Sequence, residues 1–300
     1  MSTSAKIAGA PISWGISEVA EWGVQLSPDR VLSEMRELGL LATEIGPDGF
    51  LPPAPADKAS TLASYDLTAV GSFVPVVMHQ PDVDPLPRIL RELDDYAAAG
   101  ADILIVCAVT GLDGYDTTRE EMTNEQWQTL LGNLDRISDA ARDRGVTAAL
   151  HPHVGSMVET AEDVDRVLAD SSIPFCFDTG HLMIGGTDPV AFAEAHAARI
   201  AHTHLKDVAI PGMQRVKDGG ISYFDAIVAD SLYRPLGQGD VDVRAIVKSL
   251  MDSGYTGWFV LEQDKVVQEM PGAGEGPLTD ARESVRYLRG VLAELAAEAS

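Results

Sequence analysis

Four side chains that commonly bind divalent metals stand at the ends of three successive apolar runs in the last part of the chain. They are Asp178 and His181 in PFCFDTGH, His204 in RIAHTHLKD, and Glu262 in GWFVLEQD. Each run is typical of a short buried strand, and parallel β/α barrels carry their sites at the C-terminal ends of their strands. Carboxylate and imidazole donors suit divalent ions of the first transition series better than Mg²⁺. The pattern predicts a divalent metal site and a metal-dependent enzyme.

Polar side chains also recur at two-residue spacing, and residues two apart share one face of a strand. A single strand histidine is usually a hydrogen-bonded structural group, and a single Asp at a strand end is often a helix N-cap. Burying all of these side chains together without a cation or a substrate would be unfavourable. The prediction of a metal site therefore rests on the whole set and not on any single residue. The members are His151 with His153, Cys176 with Asp178, and His202 with His204, followed by Lys206.

Eight short runs rich in β-branched and apolar residues predict strands. They cover residues 6–13, 41–46, 67–77, 102–109, 147–153, 174–179, 199–206 and 257–263. Helix-like segments alternate with them, and the first begins at Ser27 and Pro28 as N-cap and first helical residue. The others cover about 85–99, 124–144, 160–169, 189–198, 242–253 and 279–297, with a weaker candidate at 57–65.

This alternation predicts βαβ units and a parallel sheet. Eight repeats favour a single (β/α)8 TIM barrel over residues 1–300, and no G-x-G-x-x-G motif supports a dinucleotide-binding fold. Three longer connections, at about 14–27, 110–123 and 207–240, are expected to surround the site. The last is expected to be a lid or an oligomer contact, and Glu18, Glu21 and Trp22 of the first are expected to close over a substrate.

Composition excludes several classes of partner. The 300 residues carry a formal net charge of −24, which opposes binding to nucleic acid phosphates and anionic membranes. No apolar run approaches the roughly 20 residues of a membrane-spanning helix, and the first residues lack a signal-peptide pattern. Cys107 and Cys176 lie inside apolar runs and are interpreted as reduced core thiols. We therefore expect a cytoplasmic protein without a nucleic acid or membrane partner.

Four motifs resemble the xylose isomerase-like TIM barrel superfamily of sugar and sugar phosphate isomerases and epimerases. They are D-T-G-H (178–181), H-x-H-L-K-D (202–207), P-L-G-x-G-D-V-D (235–242) and V-L-E-Q-D (260–264). Within it, four further segments resemble the inosose dehydratase branch. They are P-I-S-W-G (11–15), E-W-G (21–23), T-E-I-G-P-D-G-F-L-P (43–52) and H-P-H-V-G (151–155).

The resemblance implies a set of metal ligands. In the superfamily an acidic residue ends the fifth strand, an Asp ends the sixth, and a His and a Glu follow on the seventh and eighth. The last three match Asp178, His204 and Glu262, whereas His151 stands at the fifth-strand position with His153 beyond it. His151 is therefore expected to be either the fourth ligand or a catalytic acid. Mn²⁺ or Co²⁺ is the expected cofactor, with Zn²⁺, Fe²⁺ and Ni²⁺ as alternatives.

The histidine at this position bears on the reaction. Epimerases of the superfamily place a Glu on each face of the substrate, whereas a β-elimination needs one base and one acid. We therefore favour dehydration of a keto-inositol such as scyllo-inosose (2-keto-myo-inositol), with Glu262 as ligand and base. His151, His153 and His181 are candidate acids, and His153 and His181 are also candidate hydroxyl binders. Isomerisation or epimerisation of a keto sugar or inosose is the alternative.

Four other residues are predicted to serve the site, each with a structural alternative. Lys206 would polarise the carbonyl or pair with Asp178 or Asp207, and Glu44 would bind substrate hydroxyls or cap a turn. Trp14 would stack on a ring or pack in the barrel, and His79 would line the site or cap a loop. Phosphodiester cleavage and non-catalytic sugar binding are disfavoured by the negative charge and by the intact ligand set, respectively. Homo-oligomerisation is left open.

Overall fold

Parallel strands with helices between them close into a barrel. The structure, a computed structural model, describes residues 6–19, 22–112, 116, 119–229 and 232–298, without the side chains of residues 95, 97 and 98. The strands are β1 Lys6–Gly9, β2 Ala42–Thr43, β3 Thr68–Ala69, β4 Gly71–Val76, β5 Ile103–Ala108, β6 Thr147–Leu150, β7 Phe175–Asp178, β8 Ile200–Leu205, β9 Asp207–Val208, β10 Tyr233–Arg234 and β11 Trp258–Leu261.

The order of the main sheet is β3-β2-β1-β11-β8-β7-β6-β5-β4, and its strand pairs are parallel. Only Val70 separates β3 from β4, so these two are halves of the third predicted strand. The Val70 N–H donates to the carbonyl of Thr43 at 3.0 Å, and the Ile45 N–H donates to that of Gly71 at 2.9 Å. The two ends of the sheet therefore meet, which confirms the predicted (β/α)8 barrel.

Helices cover the outside of this barrel. They are α1 Pro28–Glu37, α2 Pro55–Ser64, α3 Leu86–Ala99, α4 Asn124–Arg142, α5 Ala161–Asp170, α6 Thr179–Gly185, α7 Pro189–His196, α8 Ile210–Lys217, α9 Tyr223–Val228, α10 Val243–Asp252 and α11 Pro277–Glu298. The Ser27 hydroxyl caps α1 by accepting the Arg30 N–H, as predicted. The weak helix candidate at 57–65 is α2.

Several predicted strands end earlier in the structure. The first stops at Gly9 because Pro11, which has no N–H to donate, opens a 3-10 helix, Pro11–Trp14. The fifth stops at Leu150, ahead of Pro152, so His151 and His153 lie beyond β6 rather than within it. The segment 207–240 is also more regular than expected, because β9, α8, α9 and β10 lie in it.

The core has two layers, as expected of a barrel. Small side chains such as Ala8, Ala42 and Ala149 fill the barrel interior, while larger apolar side chains pack between strands and helices. Cys107 and Cys176 are free and buried, and burial raises the pKa of each thiol to about 12. They are therefore neutral core thiols at pH 7, as predicted. None of the helices in the described ranges is long and apolar enough to cross a membrane.

Candidate metal centre

Four donor groups from four barrel strands or the turns after them meet at the C-terminal end of the barrel. One donor atom from each of His151, Asp178, His204 and Glu262 lies within 4.8 Å of all the others. His204 Nδ1 lies 3.1 Å from His151 Nε2 and 2.9 Å from Glu262 Oε2. Asp178 Oδ2 lies 3.6 Å from each of the two imidazole nitrogens. The structure thus brings together the four side chains that the sequence nominated as metal ligands.

Asp178 occupies its position because it ends β7 and also caps α6. Its Oδ1 atom accepts the His181 N–H at 2.8 Å, which fixes the carboxylate at the start of that helix. Its Oδ2 atom is buried and accepts no hydrogen bond among the described residues, although it lies 3.3 Å from the Lys206 ammonium group. A buried carboxylate oxygen without a hydrogen bond is unfavourable, and a bound cation would satisfy it.

The charge of the surrounding side chains also fits a cation. The carboxylates of Glu44, Asp178, Glu262 and Asp264 are buried or nearly so, and Lys206 is the basic side chain buried with them. Burial alone would lower the pKa of Lys206, but Asp178, Asp264 and Glu262 together raise it well above its usual value. The carboxylates of Asp178, Glu262 and Asp264 contact this one ammonium group, so negative charge exceeds positive charge around Lys206, and a divalent ion would offset the excess.

The carboxylates of Asp178 and Glu262 are both ionised. Burial opposes this, but His204 and Lys206 lower the pKa of Glu262 to about 2. Lys206 holds the pKa of Asp178 well below its usual range against the same effect of burial. By contrast, burial raises the pKa of Asp264. Both Asp178 and Glu262 are therefore ready to bind a metal at neutral pH.

Two further histidines lie beside the four donors. The rings of His153 and His181 are 3.8 Å apart at their centroids, and the Lys206 ammonium group donates to His181 Nε2 at 2.9 Å. Burial lowers the pKa of His153 to about 3. Burial and His153 hold the pKa of His181 well below its usual value. Both rings are therefore neutral at pH 7, which suits them to hydrogen bonds with substrate hydroxyls.

A cavity of about 130 Å³ opens beside these groups. Carboxylates, imidazoles and apolar side chains line it, and among the described lining residues there is no Lys or Arg. The polar lining residues include Glu18, Glu44, His151, His153, His204, Glu262 and Asp264, and the apolar ones include Ile12, Ile16, Val19, Trp22 and Phe73. The cavity therefore suits a small uncharged molecule that has both polar and apolar groups.

The other predicted site residues lie at different distances from this cavity. Lys206 is buried behind it, in contact with Asp178, Glu262 and Asp264. The Trp14 indole N–H donates to Glu34 Oε2 at 2.8 Å, and neither Trp14 nor His79 lines the cavity. Substrate binding by these two residues and catalysis by Lys206 stay predictions.

The cover of the site comes from the long connections. In the first connection, at about 14–27, Glu18 and Trp22 line the cavity, whereas Glu21 lies outside the described residues. The rings of Trp22 and Phe224 lie 5.5 Å apart, and the Phe224 N–H donates to Asp116 Oδ1 at 3.0 Å. Residues of all three long connections thus contact one another above the site.

Sequence reasoning missed three polar residues at this site. Asp264 lines the cavity and accepts hydrogen bonds from Lys206 Nζ at 2.9 Å and from the Tyr223 hydroxyl at 3.2 Å. The hydroxyl groups of Tyr223 and Tyr233 lie 2.6 Å apart. The two-residue spacing from Glu262 was a signal for Asp264, whereas nothing in the sequence indicated the two tyrosines.

Comparisons with known proteins agree with this geometry. Residues 34–291 match the sequence model of the family described as the xylose isomerase-like TIM barrel. The rhizopine catabolism protein MocC of Rhizobium meliloti is 32% identical over 271 residues, which cover 87% of this chain and 82% of that protein. The inosose dehydratase of Geobacillus kaustophilus is 30% identical over 297 residues, which cover 94% of this chain and 93% of that enzyme.

Solved structures show the same fold at low sequence identity. An L-ribulose 3-epimerase superposes with a TM-score of 0.72 at 16% identity, over 99% of this chain and 97% of that chain. The IolI protein with a bound zinc atom superposes with a TM-score of 0.66 at 14% identity, over 97% of this chain and 99% of that chain.

Proposed function

The chain belongs to the xylose isomerase-like TIM barrel family, and from this premise we propose that it is a metal-dependent hydro-lyase that dehydrates a keto-inositol. The substrate we propose is scyllo-inosose (2-keto-myo-inositol), an intermediate of inositol catabolism. Relatives named inosose dehydratase, which match over most of both chains, support this proposal. The observation that carries it is His151, an imidazole among the donors where a two-carboxylate epimerase site would have an acid.

In this proposal Asp178, His204, Glu262 and His151 hold a divalent ion. Mn²⁺ or Co²⁺ suits this mixture of oxygen and nitrogen donors, with Zn²⁺, Fe²⁺ and Ni²⁺ as alternatives. A bound ion would stabilise the negative charge that develops on the substrate carbonyl oxygen. The Oδ2 atom of Asp178, which accepts no hydrogen bond among the described residues, and the excess of buried carboxylates support such an ion.

The chain's own residues would then move two protons. The Glu262 carboxylate, ionised and facing the cavity, would take the proton from the carbon next to the ketone. The hydroxyl on the next carbon would leave as water after receiving a proton from His153 or His181, the two candidate acids that are not ligands in this proposal. The enol so formed would rearrange to a deoxy diketone. His153 and His181 would hold substrate hydroxyls.

Proton NMR of scyllo-inosose tests this function. Metal-stripped protein would be incubated with substrate in deuterated buffer, with and without Mn²⁺ or Co²⁺, and the ion would be chelated before recording. The proposal requires the signals of a deoxy diketone only when metal is present, and their absence with the Glu262→Gln variant. Substrate that stays unchanged with every ion would overturn it.

Isomerisation or epimerisation is a second candidate, favoured by one observation. Glu44 and Glu262 both line the cavity and contact opposite nitrogens of His204, so two carboxylates flank the same imidazole. Two bases on different sides of a substrate are what inversion at carbon requires. Deuterium incorporation without loss of water in the same NMR experiment would identify this reaction in place of dehydration.

The remaining parts of the proposal concern partners and location. A small, polyhydroxylated, uncharged keto-cyclitol or keto sugar fits the lining of the cavity. We propose a cytoplasmic location, which agrees with the two free and buried cysteines, since thiols stay reduced in that compartment.

A further inference from the structure

We propose that Glu44 is a positioning residue that fixes the tautomer of His204, so that His204 presents Nδ1 to the metal ion. This inference depends on the proposed metal site. It gives Glu44 a role distinct from the predicted contact with substrate hydroxyls, which its place in the cavity wall leaves open.

A single carboxylate oxygen of Glu44 contacts two histidine rings. Glu44 Oε1 lies 2.6 Å from His204 Nε2 and 2.9 Å from His202 Nε2. Glu44 is 4% exposed, so its carboxylate is shielded from solvent where it contacts these two rings. A carboxylate oxygen that contacts two ring nitrogens at these distances acts as the acceptor, so each Nε2 atom that bonds to it carries the proton.

The other nitrogen of His204 has the opposite surroundings. His151 Nε2, Glu262 Oε2 and Asp178 Oδ2 lie 3.1, 2.9 and 3.6 Å from His204 Nδ1. A proton on Nδ1 would form a hydrogen bond with only one of these atoms, whereas a cation would bind all of them. Since a neutral imidazole has one N–H, placing it on Nε2 leaves the Nδ1 lone pair for the metal.

His202 holds the carboxylate in this orientation. It lies two residues before His204 on β8 and therefore shares its face of the strand. Its Nδ1 atom is buried and has no hydrogen-bond partner in the described part of the chain, so its single proton belongs on Nε2, toward Glu44. Because β1 and β11 separate β2 from β8 in the sheet, these contacts cross the barrel interior.

Metal affinity tests this role. Zn²⁺ and Co²⁺ dissociation constants would be measured by competition with a chelator for the unmodified protein, Glu44→Gln and Glu44→Ala. We expect a loss of roughly 10- to 100-fold in affinity, larger for Ala than for Gln, because Gln keeps an acceptor oxygen. Glu34→Gln is the matched control, because Glu34 is also a buried carboxylate and accepts the Trp14 indole N–H. It should bind metal as the unmodified protein does.

The tautomer is read directly by NMR of zinc-loaded protein labelled with ¹⁵N-histidine. We expect His204 to bind zinc through Nδ1 and to carry its proton on Nε2, and we expect Glu44→Ala to lose this proton signal. Coordination through Nε2, a second ion bound between Glu44 and His202, or unchanged affinity in both Glu44 variants would overturn the inference. If the unmodified protein binds no ion, the metal-dependent function itself fails, and the inference fails with it.

Discussion

Lys206 Nζ lies 2.8 Å from Glu262 Oε1, and the lysine side chain is fully buried. The same ammonium group lies 2.9 Å from Asp264 Oδ1 and 3.3 Å from Asp178 Oδ2. Lys206 therefore separates three carboxylates that would otherwise repel one another. Because its positive charge offsets the repulsion among these carboxylates, it stabilises the site in the absence of substrate.

Replacing this lysine should destabilise the fold. Lys206→Met leaves three buried carboxylates without their common partner, and removing one side of a buried ion pair costs about 3–5 kcal/mol. Urea unfolding of metal-free protein would measure the loss of unfolding free energy. Lys248→Met is the control, because Lys248 pairs with Asp252 on the surface and should change the free energy of unfolding little. Equal stabilities of the two variants would contradict this role of Lys206.

The stability of the metal-free protein should fall as the pH is lowered through the range set by His153. Its pKa is about 3 in the fold and near 6.5 in the unfolded chain, so between these values only the unfolded chain binds the proton. Stability contributed by neutral His153 is complete above pH 6.5 and declines toward pH 3. Between about pH 7.5 and about pH 5, the His153→Gln variant should lose about 1–2 kcal/mol less unfolding free energy than the unmodified protein loses. An unchanged pH profile of the unfolding free energy would contradict the shifted pKa.

The lining of the cavity leads us to expect discrimination against anionic ligands. Four carboxylates line it, and no Lys or Arg does so within the described ranges, so a phosphate group would meet repulsion. We expect an inositol monophosphate to inhibit at least about 10-fold more weakly than uncharged myo-inositol, and the difference to shrink as salt screens the charges. Inhibition constants at low and high ionic strength provide the measurement. Tighter binding of the phosphate would contradict the expectation.

The fold was predictable because its signals are local. Continuous apolar runs mark buried parallel strands, and β5 and β8 lie within one or two residues of their predicted ranges. The strand ends were less predictable, since Pro11 and Pro152 act on backbone geometry that the apolar pattern does not report. α6 was missed because Asp178 begins it immediately where β7 ends.

The meeting of His151, Asp178, His204 and Glu262 was predictable for the same reason, because each lies at or just beyond the end of a strand that the sequence marks. The network behind them was not. Glu44 meets His204 across the barrel, 160 residues apart in the chain, and no local pattern reports that contact. Tyr223 and Tyr233 reach the site from a long connection whose helices were not expected. Such contacts depend on tertiary packing, which local sequence periodicity does not specify.

We expect Asp178, His204, Glu262 and His151 to hold one divalent ion. Anomalous X-ray diffraction at the cobalt edge, from crystals grown with Co²⁺, tests it most directly. The account predicts a single strong peak about 2.0–2.3 Å from His204 Nδ1 and from one oxygen each of Asp178 and Glu262, with His151 Nε2 as the fourth ligand. A peak elsewhere in the barrel, or no peak in crystals grown with saturating Co²⁺, would contradict it.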